Sequence, residues 1–268
     1  MPAASTPAAP TPRAALVLLA AGEGRRSGHA TNKVLLPLAG RRVFTWSIRW
    51  ARLLPMFVET VVVVREGDQE QVEAICRREV EGPVRLVVGG ASRHESEWAA
   101  LQALAPAIAA GDLDVVAIHD AARPLASSDV FATVTEQALT HGGAIPVADQ
   151  RSLAPREPTE VLADRLVAVQ TPQAFRAGPL LGAYAAAHAD GFVGTDTASC
   201  MERYTDLPVR CVPGDATNVK ITFPEDLFLA ERLLEKVDYD LSGGRTPPHG
   251  RRLPHLPTLR RARGEGTR

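Results

Sequence analysis

The feature that most constrains this chain is an alternation of two kinds of segment. Short β-branched and aliphatic runs occur at Leu16–Leu19, Val61–Val64, Val84–Val88, Val115–His119 and Ala144–Val147, with another at Asn218–Thr222. Each is bounded by turn residues, the pattern of strands buried on both faces. Between them lie amphipathic stretches. Asp68–Val80 sets Val72, Ile75 and Cys76 at helical spacing, and Glu95–Ala110 does so with Trp98, Leu101 and Leu104. Ser128 and Asp129 can cap a helix through Leu139 that Gly142 closes. Thr222-Phe-Pro-Glu225 reads as a capping box ahead of a helix over Asp226–Lys236. Strands alternating with helices predict an α/β fold: three layers, with a mostly parallel twisted sheet covered by helices on both faces. In such sheets ligands bind beyond the carboxyl ends of the strands. The functional residues should therefore directly follow the apolar runs.

Composition bounds the rest. The 268 residues suit one domain with tails, and 45% hydrophobic residues allow a substantial core. Residues 1–13 are mostly Ala, Pro, Ser and Thr, and residues 241–268 are rich in Gly, Pro and Arg. Both are expected to be disordered, the second as a basic tail, leaving a single domain over 14–240. A net charge of -1 offers no bulk basic field for nucleic acid. No apolar run reaches the roughly 18–20 residues that span a bilayer, so no membrane partner is expected. The run from Ala14 to Ala21 resembles a short signal core, but it enters the polar loop Gly22-Glu-Gly-Arg-Arg26 at once, as a buried strand would. Cys76, Cys200 and Cys211 are widely separated, fit neither a disulfide framework nor a zinc site, and point to a reducing cytoplasm.

Six motifs stand at the predicted strand ends or in the later loops. Leu19-Ala-Ala-Gly-Glu-Gly-Arg-Arg26, with Lys33 seven residues on, offers small residues for close backbone approach to phosphate and cations to neutralise it. It is not a dinucleotide loop, because Ser27 occupies the third glycine position, and no P-loop is present. Gly89-Gly-Ala-Ser-Arg93 with Ser96 can present backbone groups to a base edge. His119-Asp-Ala-Ala-Arg-Pro124 puts a lone carboxylate, Asp120, where Mg²⁺ beside phosphates is commonly held, and Arg123 where it can clamp an anion. His119 is read as a packed strand residue. Val169-Gln-Thr-Pro-Gln-Ala-Phe175 and Gly194-Thr-Asp-Thr-Ala-Ser199 read individually as loops or caps. Asn218-Val-Lys220-Ile-Thr carries a lysine within an apolar run, uncommon without a partner or a function. No nucleophile elbow or zinc-spaced histidine pair occurs. The inventory points to phosphoryl or nucleotidyl transfer run by cations and one Mg²⁺.

In combination and in order, these motifs resemble the 2-C-methyl-D-erythritol 4-phosphate cytidylyltransferases, nucleotidyltransferases with a modified dinucleotide-binding fold. The resemblance runs from about Ala14 to Lys236. It implies transfer of a cytidylyl group from CTP to methylerythritol 4-phosphate, with release of pyrophosphate, in non-mevalonate isoprenoid precursor synthesis. It further implies that Arg26 and Lys33 stabilise the pentavalent phosphorus and the leaving group, while Ala20, Ala21, Gly22 and Gly24 line the triphosphate. Gly90, Ala91 and Ser96 would face the cytosine, and Ala121 would lie against the nucleotide. Asp120 would serve Mg²⁺ and the acceptor, Arg123 and Thr171 would stand near the acceptor, and Lys220 would orient the attacking phosphate. The resemblance also implies a homodimer, in which a β-arm, here about 149–165, reaches across to complete the partner's pocket. Arg165 would be its acceptor-phosphate arginine, and Gln150 stands where the family has a threonine. Ala91 replaces a common aspartate. An alternative acceptor is ribitol 5-phosphate, whose enzymes read Leu-Ala-Gly-Gly and Ala-Val-Arg-Pro where this chain has Ala-Ala-Gly and Ala-Ala-Arg-Pro. A nicotinamide dehydrogenase would need a third glycine and a ribose-binding acid, neither of which is convincing here.

Overall fold

The computed structural model of the chain describes residues 11–22, 32–149 and 166–241. The expected tails (apart from residues 11–13 and Leu241), the arm beyond Asp149, and Gly24, Arg26, Gln150 and Arg165 lie outside the described residues. Arg13 is tied down: its backbone N–H donates to Asp114 Oδ2 at 2.8 Å.

The apolar run at the N-terminus forms β1 (Ala14–Leu19), and every residue but the last is buried. A 3₁₀ turn (Lys33–Leu35) leads into a small hairpin of β2 (Pro37–Leu38) and β3 (Arg41–Arg42), then α1 (Val43–Arg52) and β4 (Phe57–Val64). There follow α2 (Gln69–Glu79), β5 (Arg85–Val88), α3 (Arg93–Ala109), β6 (Val115–Asp120) and α4 (Ser128–His141). The chain continues through β7 (Gly143–Asp149), β8 (Val167–Val169), β9 (Gln173–Arg176), α5 (Ala177–Asp190) and α6 (Thr197–Tyr204). It ends with β10 (Val209–Pro213) and α7 (Pro224–Leu241).

The main sheet has the order β10-β7-β9-β6-β1-β4-β5, and β8 pairs with β7. β1 is central and parallel to both neighbours, with Leu19 opposite Val63 on one side and Asp120 on the other. β9 is antiparallel to β6 and β7, and β8 is antiparallel to β7. The layers follow from period-2 alternation. Leu16 and Leu18 face the core covered by α1, α2, α4 and α7, while Ala15 and Val17 face the core covered by α3, α5 and α6. A strand buried on both faces has no polar side, which is why its sequence is continuously apolar.

Helix ends follow from local chemistry. Ser127, one residue before the expected cap, accepts from Val130 N–H to start α4, and Gly142 at φ 117° ends it. Ser92 and Glu95 form a reciprocal capping box at the start of α3. Two expectations are corrected. Residues 218–222 do not form a strand: they run as a loop past the carboxyl ends of the parallel strands. Asn218 N–H bonds within its own turn to Asp215 O, and Ile221 N–H to Ala122 O, so no ladder is available. Nor do Thr222 and Glu225 cap α7. Asp226 does so instead, its Oδ2 accepting from Thr222 N–H at 2.7 Å and Phe223 N–H at 2.8 Å.

Candidate active site

The carboxyl ends of β1, β4, β5 and β6 open into a cavity of about 720 Å³. Its wall includes Ala21, Gly22, Lys33, Gly90, Ala91, Ser96, Asp120 and Lys220, all singled out from the sequence. Arg65, Glu66 and Arg93 also line it. At Gly89 the walls meet: a Cβ there would lie 2.6 Å from Ser96 Oγ and 2.9 Å from Ala21 Cβ, so only glycine fits.

Asp120 closes β6 and stands at the centre of the charge distribution. Its Oδ2 accepts from Lys220 Nζ at 2.6 Å, and its Oδ1 accepts from Arg93 Nη1. Burial alone would raise this carboxyl. The two cations outweigh burial and hold it well below the usual carboxylate range. Its backbone N–H donates to Thr171 Oγ1 at 3.0 Å. The Thr171 hydroxyl also lies 2.9 Å from His119 Nδ1. His119 Nε2 faces the Arg123 carbonyl at 3.1 Å and Ser47 Oγ at 3.2 Å; a carbonyl only accepts, so Nε2 carries a proton. Fully enclosed, its imidazole is pushed down to about 4 by burial. It is the packed residue the sequence suggested. Thr171 lies beneath Asp120, buried, rather than on the cavity wall.

Lys220 reaches Asp120 because the loop that carries it is pinned on three sides. Asn218 Nδ2 donates to the Thr171 carbonyl at 2.9 Å, Arg123 Nη1 donates to the Asn218 carbonyl at 2.7 Å, and Ile221 N–H donates to Ala122 O at 2.8 Å. Arg123 thus sits behind the cavity wall, holding the lysine loop, and burial lowers its pKa. Ala121 is also behind the wall: fully buried, its N–H donates to Leu19 O.

Lys33 is placed by a residue that the sequence reading missed. Asn32 is 3% exposed; its Nδ2 donates to the Ala20 carbonyl at 2.8 Å and to Asp68 Oδ2 at 3.2 Å, and its Oδ1 faces Val34 N–H at 3.4 Å. It joins the end of β1 to the start of the turn that carries Lys33. Asp68 in turn accepts from Arg65 Nε at 2.9 Å. Asparagine ahead of a helical turn is a cap signal, the one clue available in the sequence. Arg93 was quoted only as part of a glycine motif. Its partners, 27 positions away in Asp120 and one helical turn away in Glu97, are visible only in the fold.

Among the described residues no group of three or more His, Cys, Asp or Glu could hold a metal ion. A single hard-oxygen donor at a strand end does fit Mg²⁺ that brings its other ligands from phosphates, the usual habit of that ion. No described helix is long and apolar enough to cross a membrane.

Residues 14–236 match the family model described as IspD, 2-C-methyl-D-erythritol 4-phosphate cytidylyltransferase. A protein of that name from Symbiobacterium thermophilum is 41% identical over 227 residues, covering 82% of this chain and 92% of its own length. One from Thermobifida fusca is 41% identical over 243 residues, covering 85% and 96%. The crystal structure of the enzyme from Thermus thermophilus superposes with a TM-score of 0.63 at 30% identity, covering 82% of this chain and 98% of that one. The chain belongs to the 2-C-methyl-D-erythritol 4-phosphate cytidylyltransferase family.

Proposed function

We propose that this chain transfers the cytidylyl group of CTP to 2-C-methyl-D-erythritol 4-phosphate, forming CDP-methylerythritol and pyrophosphate in non-mevalonate isoprenoid precursor synthesis. The observation that carries the reading is the meeting of Asp120 with Lys220 and Arg93 in a glycine-walled cavity that Lys33 also lines. An acceptor phosphate oxygen attacks the α-phosphorus of CTP as the bond to the β-phosphate oxygen breaks. The pyrophosphate leaves with the electron pair, so no covalent enzyme intermediate is needed. The protein's work is positioning and charge stabilisation. Lys33, with Arg26, neutralises the triphosphate as charge builds on the leaving group. Lys220 orients the attacking phosphate. Ala20, Ala21, Gly22 and Gly24 line the triphosphate, and Gly90, Ala91 and Ser96 take the base. Asp120 would hold Mg²⁺ together with the phosphates, and the ion would supply further neutralisation of phosphate charge.

The reading extends to a homodimer whose arm, carrying Gln150 and Arg165, reaches the partner's acceptor pocket with Arg123 and Thr171 nearby. Val167 and Val169, on the strand that leads out of this segment, are 43% and 42% exposed, an apolar edge suited to a second copy. A cytoplasmic setting fits three unpaired cysteines, two of them buried.

The test is pyrophosphate release with CTP and Mg²⁺, offering methylerythritol 4-phosphate and ribitol 5-phosphate side by side. Preference for the first supports the proposal. Preference for the second keeps the chemistry and overturns the acceptor, and release with neither overturns the transfer itself. Omitting Mg²⁺ should abolish release, and undiminished release without it would remove the ion from the reading.

A further inference from the structure

Behind the cavity wall lies a buried carboxylate that the reaction as described does not use. Glu97 sits one turn into α3 and is 1% exposed. Its Oε1 is 3.0 Å from Arg93 Nε and accepts from Thr197 Oγ1 at 2.9 Å, and its Oε2 accepts from the hydroxyl of Tyr184. Tyr184 is fully buried on α5, and Thr197 opens α6 within the Gly194–Ser199 motif that the sequence reading left without a role. All three neighbours can donate to a carboxylate. Burial raises the Glu97 carboxyl, and the charge of Arg93 and the two hydroxyls oppose the rise without reversing it.

Burying a carboxylate costs several kcal/mol before its partners repay it, and an apolar side chain would pack α3 against α5 without that cost. Glu97 therefore has a task that packing does not explain, and its position states the task. Arg93 is the first residue of α3, pinned at the cavity rim by the Ser92–Glu95 capping box. Glu97 takes its Nε side, and this leaves Nη1 aimed at Asp120. The result is a chain of alternating charge, Glu97–Arg93–Asp120–Lys220, whose far end opens into the cavity. With both Asp120 oxygens gripped, the carboxylate cannot rotate.

We infer that Glu97 is a positioning residue for nucleotidyl transfer: through Arg93 it fixes the orientation of Asp120, while Tyr184 and Thr197 hold Glu97 itself. The inference rests on the cytidylyltransferase reading of the site.

Glu97→Gln keeps the shape but sets an uncharged amide against the Arg93 guanidinium, which only donates. Kinetics of this variant should show kcat reduced by about 10–100-fold, the usual effect of losing an outer-shell partner, with the KM for CTP changed by less than about threefold. Tyr184→Phe removes one hydroxyl and leaves Arg93 untouched, so the same split should appear with a loss of about 3–10-fold. In a crystal structure of Glu97→Gln, Arg93 should no longer contact Asp120. Unchanged kcat in folded Glu97→Gln overturns the inference. So does a fall in Tm accompanied by matching changes in kcat and KM, which marks a purely structural role. If Glu97→Gln fails to fold, Tyr184→Phe decides by the same criteria. An inactive wild type would sink the proposed function alone, because the contact between Arg93 and Asp120 can still be read in the variant's crystal structure.

Discussion

Lowering the pH should destabilise this protein through His119, and the size of the effect can be worked out. The imidazole is fully buried, and burial favours its neutral form. Burial takes it from 6.5 to about 4; Asp120 and the Arg123 carbonyl oppose the fall, while the charges of Arg123 and Arg93 add to it. Above pH 6.5 neither the folded nor the unfolded state binds the proton, and the contribution is level. Below 6.5 the unfolded state binds it first, so stability falls by about 1.4 kcal/mol per pH unit until the folded imidazole titrates near 4. Between pH 7 and pH 5 the loss from this one residue is about 2 kcal/mol. The measurement is urea unfolding of wild type and His119→Gln at both pH values. The substitution costs stability in its own right, so the quantity compared is the change with pH. Wild type should lose about 2 kcal/mol more than the variant on going from pH 7 to pH 5. Equal losses would refute the neutral buried assignment, and a smaller loss in wild type would mean that His119 is charged when folded.

Lys33→Ala should lower kcat/KM by roughly 100-fold or more, about 3 kcal/mol of transition-state stabilisation, and near wild-type turnover would remove Lys33 from the chemistry. Asn32→Ala leaves the buried Ala20 carbonyl without its donor, so denaturant unfolding should show a loss of about 1–3 kcal/mol, with kcat falling as Lys33 drifts. Gly89→Ala forces apart Ser96, Ala21 and Val63, whose nearest atoms stand 2.6–3.0 Å from the added carbon. It should cost about 1–3 kcal/mol and raise the KM for CTP, and an unchanged KM would place the nucleotide elsewhere.

The sheet was legible where burial on both faces leaves an unbroken apolar run, as in β1, β4 and β6. β9 was not, because Gln-Ala-Phe-Arg is short and mixed, and its antiparallel place between β6 and β7 comes only from pairing. β10 hid behind Arg210 and Pro213, tolerable in an edge strand. Residues 218–222 misled in the opposite direction. Val219, Ile221 and Thr222 are β-branched, as in a strand, but the burial of Asn218 and Ile221, three positions apart, serves to pin a loop. Cavity-lining residues in glycine motifs and at strand ends could be read directly. Asn32 and Glu97 could not, because their significance lies in what they touch: Ala20, Asp68, Arg93, Tyr184 and Thr197.

The pairing of Asp120 with Lys220 also dates the site within the life of the chain. The two residues are 100 positions apart, whereas Arg93 precedes Asp120 by 27. On a ribosome adding roughly 5–20 residues per second, Asp120 waits roughly 5–20 s with only its first cation made. The last described strand ends at Pro213, so every described strand of the sheet exists before the lysine does. The contact between Asp120 and Lys220 is thus made only after the described strands have been synthesised, with α7 still to follow. Proteolytic loss of the segment after Pro213 would remove Lys220 and leave Asp120 with Arg93 alone.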